Sequence, residues 1–337
     1  MANFKNILIR FPNWLGDAVN GTIILTPLRQ AFPDSKISIL IKKNLTDLFH
    51  DCRLIDQVIP LSPQQSLLSQ VRLLRKARYD LGIILPRSFS SALLFFLGNV
   101  KNRIGFSTEG RRFLLNQTVA DPNPRRRIHI TQEYRSIISS FVPPSSAELH
   151  PQIILEKPVY HRHFSSISEN SETIIGICAD ALYGPAKRWP VQYFIELIQL
   201  IQKNYRNIKF VLLGLDQEVV RPILDAVPEV MSGVGHLQLY EVMQMIKKCS
   251  LLISNDTGLM HLAAGLGTPV IGLFGSTNPD WTRPLGKNSR VLYLHYPCSP
   301  CYLKKCPIGL PCLYKIYPAQ VYAEIKKLHL TDPETRL

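Results

Sequence analysis

Five short strings in this 337-residue chain carry side chains whose types and spacing could do chemistry. In the run from Leu251 to Gly275, Leu251–Ile253 reads as a buried strand, Ser254-Asn-Asp-Thr-Gly258 as a turn, and Leu259–Leu266 as a helix, with a further strand behind it. The free N–H groups at the start of such a helix carry partial positive charge, so Asp256, Thr257 and Gly258 surround a phosphate cradle that suits a nucleotide diphosphate. The blander alternative is that Asp256 or Thr257 only caps the helix. His261 lies one turn in, a position that by itself suits packing as well as ligand contact.

Gly184-Pro-Ala-Lys-Arg-Trp-Pro190 places two adjacent cations at the start of a helix: Lys187 as a point charge and Arg188 as a fork, a pair that suits a diphosphate or simply a solvated surface. Gly214-Leu-Asp-Gln-Glu218 ends another apolar run, and Glu218 could accept from a ribose diol or merely favour a helix start. Arg10-Phe-Pro-Asn-Trp-Leu-Gly-Asp17 follows the first strand, where ligands of open α/β sheets collect. There Asp17 is either a helix cap or a general base held on a short rigid element. Cys298-x2-Cys301-x4-Cys306-x5-Cys312 could close a zinc site, but lacks the paired Cys-x2-Cys spacing of structural zinc modules; unligated loop thiols are expected and no metal is assigned.

Doubly wound units are needed to position these strings. Apolar runs at Ile7–Arg10, Ile37–Ile41, Val58–Leu61 and Leu81–Leu85, with a helix over Ala18–Ala31, give a βαβ rhythm and a parallel sheet. A second block follows with Ile174–Cys178, Val191–Lys203, Lys209–Gly214, Glu218–Ala226 and Leu239–Lys248, and the tail Pro318–Leu328 reads as an amphipathic helix. The stretch from Pro143 to Glu172, rich in Pro and Ser, reads as a linker. The expected architecture is α/β: a Rossmann-like domain over 1–165, a second over 166–317, and a helix and tail over 318–337, the two domains facing a central cleft.

Net charge is +14, and it is unevenly placed: residues 1–165 hold 22 Lys and Arg against 11 Asp and Glu, the remainder 17 against 14. So basic a domain suits nucleic acid, an anionic membrane surface or a phosphorylated substrate; Trp14 and the run Arg125-Arg126-Arg127 are candidates for contact, although such a charge run is more often a solvated loop than a site. No aromatic–basic module of a nucleic-acid binder occurs, and no nucleic-acid partner is expected. Gly265-Leu-Gly267 follows a helix rather than a strand, the reverse of the dinucleotide fingerprint, and GxxxxGK[ST] is absent. Neither a signal segment nor a membrane span is read, and the apolar surroundings of Cys52, Cys178 and Cys249 fit a cytoplasmic protein.

Taken together, Trp14-Leu-Gly-Asp-Ala18, the stretch Arg78-Tyr-Asp80 through Leu85-Pro-Arg-Ser-Phe-Ser-Ser-Ala92, Tyr183-Gly-Pro-Ala-Lys-Arg-Trp-Pro190 and Asn255-Asp-Thr-Gly-Leu-Met-His-Leu-Ala-Ala264 resemble the lipopolysaccharide heptosyltransferases of glycosyltransferase family 9. The resemblance implies a GT-B fold and inverting transfer of L-glycero-D-manno-heptose from ADP-heptose to the heptose of the lipopolysaccharide inner core. It makes Asp17 the base, Lys187 the diphosphate lysine, Glu218 the ribose acid, and Asp256, Thr257, Gly258 and His261 the donor-binding string. No cofactor is implied, since ADP-L-glycero-D-manno-heptose is a substrate; the other partner is an anionic Kdo-lipid A core glycolipid, met peripherally on the cytosolic face of the inner membrane. One departure stands out: Cys178-Ala-Asp-Ala-Leu-Tyr183 replaces a more usual Cys-Pro-Gly-Ala-like stretch. A GT-B enzyme for another nucleotide sugar is the nearest alternative.

Overall fold

The structure is a computed structural model that describes residues 4–142, 150–156 and 173–328. The chain divides into two compact units, Met1–Ile154 and Leu155–Leu337. The expected boundary at 165 and most of the linker lie outside the described residues.

In the first unit six parallel strands, β1 (Asn6–Arg10), β2 (Lys36–Lys42), β3 (Gln57–Leu61), β4 (Leu81–Ile84), β5 (Asn102–Phe106) and β6 (Gln117–Val119), lie in the order β3-β2-β1-β4-β5-β6. In the second, β7 (Thr173–Cys178), β8 (Ile208–Leu212), β9 (Met231–Ser232), β10 (Leu251–Asn255), β11 (Val270–Leu273) and β12 (Ser289–Leu292) repeat that order as β12-β11-β10-β7-β8-β9. Parallel strands covered on both faces need apolar runs, which is why β1, β4, β7 and β10 are rich in Ile and Leu and, half-buried Asn6 apart, buried. In both sheets the chain reverses its direction of winding beside the first strand. The loops after β1 and β4, and after β7 and β10, therefore open at the switch point where ligands of such sheets bind.

The helices of the first unit are α1 (Leu15–Gly21), α2 (Leu25–Ala31), α3 (Leu67–Ala77), α4 (Phe89–Leu97) and α5 (Ile130–Ile138). Those of the second are α6 (Val191–Asn204), α7 (Gln217–Ala226), α8 (Leu239–Lys248), α9 (Gly258–Leu266), α10 (Pro279–Thr282), α11 (Pro311–Tyr314) and α12 (Pro318–Lys327). The single helix expected over Ala18–Ala31 is two helices joined by a tighter turn at Thr22–Ile24. Thr22 Oγ1 donates to Val19 O at 2.7 Å, and Pro27 has no N–H to bond the preceding turn, so both favour the break. The C-terminal helix is no detached tail: Val321 and Ile325 of α12 are buried in the core of the second unit with Trp189, Phe194 and Ile198.

Candidate active site

In the first unit β1 runs into the loop Phe11–Trp14, and α1 begins at Leu15 with Trp14 in the N-cap position and no side-chain cap. Asp17 is therefore not the cap; it stands half-buried in the first turn. Arg10 stiffens the loop from below. Its guanidinium, 5% exposed, donates to Asn13 Oδ1 at 2.6 Å, to Leu40 O at 3.3 Å and to Phe11 O. Burial lowers its pKa to about 10, still charged at neutral pH.

Beside α1 lies α5, whose Tyr134 is buried; burial first, then the carboxylates of Asp17 and Glu133, hold its phenol protonated. Glu133 accepts from Arg87 at 2.8 Å and from Asn123 at 2.6 Å, and Arg87 also grips Asp121 at 2.5 and 2.9 Å. Arg87 follows β4, so this network fixes the loops on the switch-point edge. The Arg87 guanidinium holds the Asp121 carboxyl below its ordinary range. Arg125, Arg126 and Arg127 are exposed on a turn that Asn123 closes by accepting from the Arg127 N–H at 2.5 Å and the Ile128 N–H at 3.1 Å. Trp14 is 63% exposed on the same carboxyl edge of the sheet.

In the second unit the strand order brings together residues far apart in sequence. Lys187, in a short turn after β7, places Nζ 2.5 Å from Asp256 Oδ2, just after β10. Thr277 donates to the same oxygen at 2.5 Å, and the Lys187 ammonium stands 4.9 Å from the centre of the Tyr183 ring. With Lys187 and Asp256 only 14% and 5% exposed, the carboxylate fixes where the ammonium points.

The pair sits at the start of α9, whose N-cap residue Thr257 is extended and makes no side-chain cap. The capping alternative for Asp256 and Thr257 thus drops out, and the first N–H groups of α9, from Gly258 on, remain for an anion. His261 is 7% exposed within α9, packed into the unit rather than set on an open face. Arg188 is not a free fork: it donates to Asp216 at 3.0 Å, while its Nε is buried without a partner. Glu218 is exposed in the first turn of α7.

Several residues with a structural hold on this site were not singled out in the sequence. Asn255, fully buried, accepts from the Trp189 N–H at 3.0 Å and donates to Ala179 O at 2.7 Å, stapling the lysine loop to the cradle turn. Asp180 lies within the departing stretch Cys178–Tyr183. Its carboxylate accepts the N–H groups of Leu215 and Asp216 at 2.6 and 2.9 Å, and so fixes the loop that carries Asp216 and Glu218. A Cβ on Gly214 would stand 2.6 Å from that carboxylate, so glycine is required there.

The cysteine-bearing segment braces the lysine loop through its main chain: Tyr183 donates to Tyr302 O at 2.6 Å, and the Ala186 N–H to Lys304 O at 3.0 Å. Its cysteines are free thiols, and among the described residues no three His, Cys, Asp or Glu side chains are arranged to hold a metal ion. Of these braces, only Asn255 shows in the sequence as a polar residue at the end of an apolar strand; Asp180 follows β7, and the contacts of Tyr183 and Ala186 run to main-chain carbonyls.

Comparison with known proteins agrees with this arrangement. The profile of glycosyltransferase family 9 (heptosyltransferase) matches residues 67–310. Lipopolysaccharide heptosyltransferase 2 of Salmonella typhimurium is 31% identical over 309 residues, covering 86% of this chain and 88% of that protein. Lipooligosaccharide heptosyltransferase 2 of Campylobacter jejuni is 26% identical over 332 residues, 96% of this chain and 98% of that protein. Among solved structures, the E. coli ADP-heptose lipopolysaccharide heptosyltransferase II superposes with a TM-score of 0.79 at 28% identity, covering 98% of this chain and 99% of that one. The chain belongs to glycosyltransferase family 9, the heptosyltransferases, and its two doubly wound units are those of a GT-B fold.

Proposed function

We propose that the chain transfers L-glycero-D-manno-heptose from ADP-heptose to the heptose of an anionic Kdo-lipid A inner core, with inversion and without a metal. The observation that carries this reading is the Lys187–Asp256 pair, 2.5 Å apart at the uncapped start of α9. Asp17 takes the proton of the acceptor hydroxyl while that oxygen attacks the anomeric carbon in line. The bond from that carbon to the diphosphate breaks on the opposite side and ADP departs with the electron pair. The charge gained by the leaving group meets Lys187, Arg188 and the N–H groups near Thr257 and Gly258, with Glu218 toward the ribose and His261 behind the cradle.

These cations stand in for a divalent ion, and the sequence has no Asp-x-Asp motif that would bind one. The acceptor belongs to the basic first unit, with Trp14 and Arg125–Arg127 as its contacts, at the cytosolic face of the inner membrane. Among the described residues no helix is long and apolar enough to cross a membrane, so that contact is peripheral in this reading.

A nucleotide panel tests the donor site. ADP should raise the melting temperature with increasing concentration, UDP and GDP should do so far less, and EDTA should leave the ADP effect unchanged. Preference for UDP or GDP would assign another nucleotide sugar, and an ADP effect that vanishes with EDTA would contradict the metal-free site.

A further inference from the structure

Three phenylalanines of the first unit are exposed and adjacent: Phe89 and Phe96 on α4, and Phe113 in the turn before β6. Phe89 and Phe96 are seven positions apart, so they share one side of α4, with half-buried Leu93 between them. The Phe89 and Phe113 rings lie 6.1 Å apart, and Phe113 is 72% exposed. The opposite side of α4, with Leu94 and Phe95, is spent on the core, as are Ala92 and part of Leu93 beneath the rings, while Phe89, Phe96 and Phe113 themselves stay exposed among the described residues.

Its rim is cationic. The Arg103 guanidinium stands 5.3 Å from the Phe96 ring centre, Arg75 of α3 donates to Leu97 O at 2.8 Å, and exposed Arg112 adjoins Phe113. Residues 67–78 contain Arg72, Arg75, Lys76 and Arg78 and no acid. One carboxylate lies at the face, Glu109, which accepts the Phe89 N–H at 3.2 Å. Scattered exposed apolar residues are ordinary, but three exposed rings on one side of α4 and the turn beside it, inside a basic rim, match an interface of apolar chains beneath negative headgroups. Pairing with a second copy would instead bring like charges together.

We propose that this face, Phe89, Phe96 and Phe113 with Arg75, Arg103 and Arg112, seats the first unit on an anionic phospholipid bilayer. The rings enter the headgroup boundary while exposed Arg75 and Arg112 reach lipid phosphates, and Arg103, held by Leu114 O and Val100 O at 2.7 and 2.5 Å, adds local positive charge. The inference rests on the reading of a lipid-anchored acceptor, and adds where on the molecule the membrane is met.

Co-sedimentation of the full chain with acceptor-free vesicles tests it. Binding is expected to phosphatidylglycerol vesicles, weakening as salt rises, and not to phosphatidylcholine alone. Phe96→Ser with Phe113→Ser should cut binding roughly tenfold or more, and Arg75→Gln with Arg112→Gln by roughly fivefold for each cation removed. The ADP-induced shift should stay that of the parent and melting temperature close to it, since every altered side chain is exposed on the first unit and Arg75 gives up only one surface hydrogen bond, to Leu97 O.

Retained vesicle binding in the phenylalanine variant would overturn the proposal, as would loss of binding on reversing Arg125, Arg126 and Arg127 with the phenylalanines intact. Light scattering that shows a dimer becoming a monomer in the phenylalanine variant would assign the face to a second copy. Failure to glycosylate a delipidated core oligosaccharide would count against the transfer reading and leave the membrane face standing.

Discussion

Asp17→Asn is expected to lower turnover roughly 100-fold or more, the scale of general-base catalysis, while ADP binding is unchanged. Asparagine keeps the shape of the side chain but cannot take the acceptor proton. Asp17 also acts electrostatically on the buried Tyr134 phenol of α5. It is not the cap of α1, and a first-turn acid contributes only about 0.3 to 1 kcal/mol through the helix dipole. Melting temperature should therefore fall little. Steady-state kinetics with each substrate varied should show the loss in kcat, with the donor KM near its parent value. Turnover within a few-fold of the parent would remove Asp17 from the reaction.

Lys187→Ala should weaken ADP binding by about 1 to 3 kcal/mol, the scale of a charge-assisted contact, and should also destabilise the second unit. The second effect follows from the 2.5 Å contact with Asp256: without the ammonium, a carboxylate that is 5% exposed keeps only the Thr277 hydroxyl. Adding Asp256→Asn removes that uncompensated charge. Lys187→Ala with Asp256→Asn should therefore recover melting temperature relative to Lys187→Ala alone and still bind ADP poorly. Calorimetric titration with ADP and thermal melting of the three variants separate the two roles. Strictly additive losses in stability would mean the two side chains act independently.

Much of the scaffold was legible because buried parallel strands have a plain signature. The apolar runs of β1, β2, β7, β8 and β10 can be read directly, and α6 to α9 fall close to their expected limits. The strands that escaped, such as β5 and β6, hide it. β5 opens with Asn102 and Arg103, and its Gly105 has no side chain because the Arg111 guanidinium and Ile84 O would stand 3.2 and 3.0 Å from a Cβ there. β6 is a three-residue edge strand with an exposed start.

In the site, the strings around Asp17, Lys187 and Asp256 were visible as chemistry, but their partners were not. Lys187 and Asp256 are 69 positions apart, and only the adjacency of β7 and β10 makes them a pair. The same adjacency turns Asn255 into a staple, and Asp180 becomes a brace through β8 next door. Such roles depend on which loops become neighbours, information that local patterning does not hold.

The transfer reaction is tested most directly by its product. The chain is to be incubated with ADP-L-glycero-β-D-manno-heptose and an inner-core acceptor that ends in a heptose. The product is then characterised by mass spectrometry and by NMR of the new anomeric centre. The transfer reading predicts an acceptor heavier by one heptose, an α-configured new linkage opposite to that of the donor, and one ADP released per linkage. An acceptor left unmodified while another nucleotide sugar is consumed, or a β-configured product, would contradict it.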